Sequence, residues 1–404
     1  MVGTAQVDNF GVFIKKIGYS VGVEALLRRA IDFGERYASV ASFRDSDWNW
    51  LVHEKWNLKT ANVGDVFAAL GIAKVQNREV FPGPIGEALG ITRKLLDVQS
   101  EYEQACKLLV ALAIVDADGD IFLNALRSKF HKGETAKALM SMVRAKRYAL
   151  FELFKSARDR ESVATAVSIE RQRTNKGGGS PGGLSGIAKG APLSERVQGL
   201  GLPQRTDINA VDAPSADYLH KITVSRRGWA ESLGLFRGDD LTDEGFRFLS
   251  TASQSGLSCK DGTCCVWPTK FEVEANQFDH RGLDALSLLT TWQFQEIVFR
   301  ALGGVASKAE PTTKEIDELA RGIVEIYHAY RELSQHRNMI RNEVSSQIVM
   351  SVFLACAYVA KKPTKNIEAM LRSPLLSERG ITVRESRTIE LAITVRANAS
   401  KAAH

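Results

Sequence analysis

The sequence predicts a predominantly helical α+β protein with short hairpins between helices and a C-terminal helical bundle. Three observations predict it. Apolar residues recur at helical spacing over most of the 404 residues. Leu-Gly-aliphatic segments followed by turn residues occur at Leu70-Gly71-Ile72 and Leu233-Gly234-Leu235. Near the end, Ile389, Leu391, Ile393 and Val395 alternate with Glu390, Ala392, Thr394 and Arg396, the pattern of a half-buried terminal strand. Composition agrees, since 44% hydrophobic and 25% charged residues exclude a disordered or fibrous chain.

In chain order, Val21 to Tyr37 carries Val23, Leu26, Leu27, Ala30, Ile31 and Phe33 at helical spacing. Trp48 to Trp56 and Val63 to Leu70 predict two further short helices, followed by a β-prone Val80-Phe81 and a Pro82-Gly83-Pro84 turn. Helical signal covers Arg93 to Ala113 and Glu134 to Phe154. Between them, Leu112 to Leu126 reads as a hairpin or inter-helix turn about Asp116-Ala117-Asp118-Gly119-Asp120. Asn175 to Gly201 is rich in Gly, Ser and Pro and predicts a flexible tether. Beyond it, Asp217 to Ile222 and Ser225 to Leu233 read as short helices. Ile316, Leu319, Ile323, Ile326, Tyr330 and Leu333 form a helical seam continuing to Ile340 and Val344, and Ile348 to Ala360 reads as a buried helix. The expected domains are residues 1–92 (helical, winged-helix-like), 93–174 (basic helical), 175–201 (linker), 202–275 (winged helix) and 276–404 (bundle with a terminal strand).

Short helices, Leu-Gly-aliphatic, a turn, Leu-Thr and then Gly opening another helix: Leu233 to Leu249 follows this order throughout. It resembles a winged helix-turn-helix domain. Leu70 to Leu89 is a weaker copy, with Pro82 and Pro84 where the Leu-Thr pair would stand. The resemblance implies that Ser225 to Leu233 is a recognition helix with Ser225, Arg226, Arg227 and Trp229 near its start. Residues there reach base edges and phosphates in helix-turn-helix docking, and a guanidinium can bind guanine bidentately. Arg237 at the wing tip would reach a neighbouring phosphate. Several such units in one chain are also similar in style to recognition modules of restriction-type endonucleases.

Charge supports the same reading. Arg127 to Lys176 holds thirteen basic and five acidic residues, a local +8 that exceeds the +6 of the whole chain. Concentrated positive charge beside a near-neutral body is the footprint of a polyanion binder. Lys129, Lys132, Arg144, Lys146 and Arg147 are its candidate phosphate contacts. A solvated basic helix face is the plain alternative.

Other chemistries find little support. The chain shows no Walker A motif, nucleophile elbow or His-Glu-x-x-His, so no cofactor is expected. Cys259, Cys264 and Cys265 with His280 lack the second ligand pair of a structural zinc site, and the expectation is a turn with partly buried thiols. Asp116-x-Asp118-x-Asp120 begins like a calcium loop, but Ile121 replaces its glycine and Arg127 its closing glutamate. Lys270 to Glu274 reads as a strand bearing Glu272 and Glu274, and Arg331 with His336 matches a helical-ribonuclease spacing that chance also supplies. Five cysteines are too few for a disulfide framework, no secretory signal opens the chain, and the longest apolar stretch, Val344 to Ala360, is broken by polar residues. The expectation is a cytoplasmic, non-membrane protein.

The leading expectation is a duplex DNA-binding protein of a bacterial restriction or antiviral defence system. A second reading is a scaffold, with homo-oligomer or partner contacts through the 316–344 seam. A third is a metal-dependent endonuclease using Asp261, Glu272 and Glu274.

Overall fold

In a computed structural model the chain is mainly helical, with small antiparallel sheets. The structure describes residues 6–7, 13–14, 25–40, 43–58, 62–76, 79–155, 216–259, 261–270, 288–335, 342–385 and 391–396. The Gly-rich stretch 175–201, the Lys270–Glu274 strand beyond Lys270, His280, His336, Ile340 and Ile389 lie outside the described residues.

The fold is organised by one long helix. α5 (Gln99–Arg127) is buried at nearly every position from Leu108 to Leu126. A helix apolar all round must be covered on all sides. Around it pack α1 (Leu26–Ser39), α4 (Pro84–Leu95), α6 (Lys132–Lys155), α7 (Ala216–Ser232), α8 (Asp243–Gln254), α9 (Thr291–Ala301) and α11 (Ser346–Val359). This corrects the sequence reading at Leu112 to Leu126: the Asp-rich stretch is mid-helix, not a hairpin. Helical signal from Arg93 onward is divided instead at residues 96–98, between α4 and α5.

Between α1 and α4 the chain forms α2 (Asp45–Asn49) running into a wide helical turn, Trp50–Lys55, and then α3 (Asn62–Ala69). α3 leads into a hairpin of β3 (Ala73–Gln76) and β4 (Glu79–Pro82), preceded in the sheet numbering by the small pair β1 (Gln6–Val7) and β2 (Phe13–Ile14). α10 (Thr313–Gln335) lies against α4, α11 and the C-terminal sheet. That sheet has the order β7 (Val344–Ser345), β9 (Leu391–Val395), β8 (Ile381–Glu385), with Ile393 opposite both Val344 and Val383. Two short helices, α12 (Ile367–Leu371) and α13 (Leu375–Glu378), precede β8.

Buried apolar residues from Leu26 to Ile393 form one cluster. The segments before and after the Gly-rich stretch therefore share a core rather than building separate ones. The seam on α10 is used up inside it: Leu319, Ile323, Ile326 and Leu333 are almost wholly buried. Those four residues pack within the chain, as the intramolecular bundle reading expects.

One local unit recurs three times. α3 ends on Gly71 (φ 65°), α7 on Gly234 (φ 71°) and α8 on Gly256 (φ 103°), a conformation that glycine adopts without strain. In each case the following aliphatic N–H donates back into the helix: Ile72 to Phe67, Leu235 to Ala230 and Leu257 to Ala252, at 2.8–3.1 Å. Its carbonyl then accepts from the returning chain: Gly83, Thr242 and Cys265, at 2.9–3.3 Å. In the second unit the hairpin is β5 (Phe236–Arg237) with β6 (Asp240–Leu241), and Thr242 caps α8 by accepting from Gly245 N at 3.1 Å. The predicted break between Ile222 and Ser225 is absent. Ser225 to Ser232 is the second half of the continuous helix α7.

Candidate nucleic-acid interface

The position of Arg226 decides the groove-reading expectation. On α7 the buried stripe runs Leu219, Thr223, Arg226, Ala230 and Leu233, with Trp229 beside it. Spacings of three and four place these residues on one face, and that face meets α5. Arg226 is fully buried, as is Trp229. The guanidinium binds the equally buried Asp118 of α5 through both carboxylate oxygens, Nε to Oδ2 at 2.8 Å and Nη2 to Oδ1 at 2.6 Å. It also lies 5.1 Å from the Trp229 ring. Groove contact by Arg226 and Trp229 is therefore corrected: both serve the interior.

A second buried ion pair stands two residues along α5, on the other side of the helix. Lys146 of α6 is fully buried and donates to Asp120 at 2.9 Å and to the Val266 carbonyl at 3.0 Å. Its ammonium is 5.0 Å from the Trp267 ring. Lys146 too is corrected, from phosphate contact to core cation. Asp120 also accepts from Val266 N at 2.8 Å. The side chain of Asn124 accepts from Cys264 N at 3.1 Å and donates to Cys264 O at 2.7 Å, and Arg127 donates to Gly262 O. Residues 120, 124 and 127 of α5 thus hold the extended segment 262–266 through its backbone, as a neighbouring strand would. Two buried charges inside an apolar helix require such partners, since an uncompensated buried charge costs several kcal/mol.

The remaining predicted residues stay near the surface. Arg227 is partly exposed but committed to its own unit, donating to Glu231 at 3.0 Å, to Gly238 O and to Asp239 at 3.3 Å. The bond to Glu231, ahead of the field of Asp239, raises its pKa. Ser225 is half-buried beside it, 3.3 Å from an Arg226 nitrogen. Lys129 pairs with Asp240 at 2.8 Å, and that hydrogen bond holds the Asp240 carboxyl below its usual range. Phe130 meets Phe236 edge-on at 5.0 Å. These contacts dock the α5–α6 turn onto the β5–β6 hairpin, joining the start of the basic segment to it.

Around this joint, Lys132, Arg144 and Arg237 are exposed and form no ion pair among the described residues; Arg237 stands opposite Asp240 in the hairpin, whose carboxylate is taken by Lys129. Lys137, Arg144 and Tyr148 lie along one exposed side of α6, seven and four residues apart, with Tyr148 44% exposed. Lys137 bonds Glu134 at 2.8 Å, which raises its pKa. Arg147 belongs to α6, but its side chain lies outside the described residues.

Cys259 and Cys265 form a disulfide, which corrects the expectation of free thiols in this turn. Cys264 stays free and buried, and burial pushes its thiol pKa up. Among the described residues no group of three or more His, Cys, Asp or Glu side chains converges as a metal site requires, and no helix is long and apolar enough to cross a membrane. Comparison with known proteins finds no matching family model, no matching characterised sequence and no matching solved structure.

Proposed function

We propose that this protein binds duplex DNA through its phosphates, using the outer face of α6 and the tip of the β5–β6 hairpin, without base readout by α7. The observation that carries this reading is the sorting of the basic segment. Lys146 is taken into the core, while Lys132, Lys137 and Arg144 are left outside with an exposed tyrosine among them. Exposed cations interleaved with an aromatic ring suit a polyphosphate, the cations meeting phosphates and the ring offering a stacking or sugar contact. In this reading the hairpin acts as a wing: Arg237 reaches one phosphate while Lys129 and Phe130 hold the hairpin against α6.

Affinity for a fluorescent duplex of about 20 bp, measured between about 50 and 200 mM salt, tests the proposal. A handful of phosphate contacts gives a log–log salt slope of about −3 to −4. Exchanging Lys137 and Arg144 for glutamate should abolish most binding, uniformly across DNA sequences. Absence of binding at the lowest salt, or binding indifferent to that double exchange, overturns it.

A further inference from the structure

We infer that Arg227 is a positioning residue for the phosphate contact of Arg237, its guanidinium tying the tip of the β5–β6 hairpin to α7; the inference rests on the proposed use of that tip for DNA. Three observations converge. The hairpin is too short to hold its own shape. Each strand has two residues, joined through Gly238 (φ 61°) and Asp239, and an isolated two-stranded hairpin is marginally stable at best. One side chain then spans the gap between helix and tip. Arg227 Nε donates to Glu231 Oε1 of α7 at 3.0 Å, while Nη2 donates to Gly238 O at 2.5 Å and to Asp239 Oδ1 at 3.3 Å. The guanidinium carbon also lies 5.4 Å from the centre of the Phe236 ring. Finally, Arg237 stands beside that tip, exposed and in no ion pair among the described residues. Side chains alternate along a strand, so the burial of Phe236 turns Arg237 away from the core.

The bond to Gly238 O matters most, because that carbonyl belongs to the residue directly after Arg237. Fixing it fixes where the Arg237 side chain leaves the strand. A planar fork with set donor directions holds an angle as well as a distance, which a point charge does not. The second tether, Lys129 on Asp240 at 2.8 Å with Phe130 on Phe236 at 5.0 Å, engages the strand residues on either side of the turn. It docks the hairpin but leaves the turn itself to Arg227. Without Arg227, ordering the tip becomes a cost of binding, and the contact made by Arg237 weakens. Arg227 bonds at the surface, where an ion pair adds little to global stability. Its role therefore shows in DNA affinity rather than in unfolding.

Binding of a fluorescent duplex by the full chain tests this, with urea unfolding as the control for folding. Arg237→Ala should weaken binding about 5–10-fold near 0.1 M salt, the effect of about one phosphate contact, and flatten the log–log salt slope by about 1. Arg227→Ala should do the same with the urea midpoint unchanged, and the double variant should bind no more weakly than Arg237→Ala alone. Parent-level binding by Arg227→Ala overturns the inference. Multiplied losses in the double variant also overturn it, because Arg227 would then be a phosphate contact of its own. Asp239→Asn added to Arg227→Ala should leave the loss in place; full recovery would mean that a bared carboxylate, not a loosened tip, had caused it. Each of these outcomes leaves the proposed function standing. If the parent protein binds no duplex, the proposed function falls and amide exchange decides the clamp alone: Arg227→Ala must speed exchange in residues 236–241 while α8 keeps its parent rate, and unchanged exchange overturns it.

Discussion

Replacing Arg226 with alanine separates a core cation from a DNA-reading one, because the two roles predict opposite losses. The substitution removes both hydrogen bonds to Asp118, at 2.8 and 2.6 Å, along with the guanidinium packed against Trp229. Both side chains of the ion pair have no exposure to solvent, so water cannot replace the lost partner. Removing one member of such a buried pair costs about 3–5 kcal/mol. That is a large share of the roughly 5–15 kcal/mol that holds a typical domain together. Asp118→Ala should cost a similar amount, and joint replacement by Arg226→Met and Asp118→Leu should recover much of it, since no lone charge then remains. Urea unfolding followed by tryptophan fluorescence gives the three stabilities and the coupling between the sites. DNA affinity of folded Arg226→Ala protein should match that of the parent. A base-reading arginine would behave otherwise, losing about 1–3 kcal/mol of discrimination at its base while changing stability by no more than about 0.5 kcal/mol. That second pattern would refute the inward placement of α7.

Other substitutions probe separate parts of the fold. Lys146→Met should destabilise by about 3–5 kcal/mol by leaving Asp120 without its ammonium, whereas Lys132→Met on the exposed start of α6 should change stability by under about 0.5 kcal/mol; thermal unfolding compares them. A Cβ at Gly245 would intrude on the Leu235 carbonyl, whereas one at Gly228, mid-helix in α7, meets nothing within 4 Å. Gly245→Ala should therefore destabilise by about 1–3 kcal/mol or more, and Gly228→Ala should stabilise by about 0.5–1 kcal/mol, both read by urea unfolding. A hydrogen bond from Lys365, helped by Thr312, lowers the pKa of Glu315 from 4.5 to about 2. A lowered folded-state pKa contributes stability above the ordinary value and loses it as pH falls through 4.5 toward 2. Carboxyl NMR titration should find the low value, and Lys365→Met should move it up toward 4.5.

Much of the element order was legible because it rests on local pattern. α10 and α11 follow from their apolar spacing, β9 from its alternation, and the hairpin after α7 from Gly234, Leu235 and Thr242. What escaped was long-range pairing. Asp118 and Asp120 look like turn residues when only neighbours are considered, yet Leu108 to Val115 and Ile121 to Leu126 flank them in one helical register. Their compensating cations are Arg226 and Lys146, 108 and 26 residues away, and local propensity carries no trace of either link. The Cys259–Cys265 pairing was equally hidden, because a tight hairpin from Ser258 to Cys264 is needed to bring those cysteines together.

Register offered a signal that charge density did not. On α6, Leu139, Met142 and Val143 are buried, and Lys146 continues that stripe at spacings of three and four, while Lys137 and Arg144 fall off it. On α7, Arg226 sits between Thr223 and Ala230 in the same manner, and Arg227 turns outward by one helical step. A cation in phase with the apolar stripe must enter the core with a counter-charge or the helix cannot pack. A cation out of phase with it remains available to a ligand. The helix–glycine–hairpin unit is neutral in this respect, since its turn chemistry is the same whether its helix faces a DNA groove or another helix. In this chain α5 occupies the face that a docked duplex would need. For that reason the case for DNA rests on the out-of-phase cations of α6 and the hairpin tip, and it stands or falls independently of Arg226.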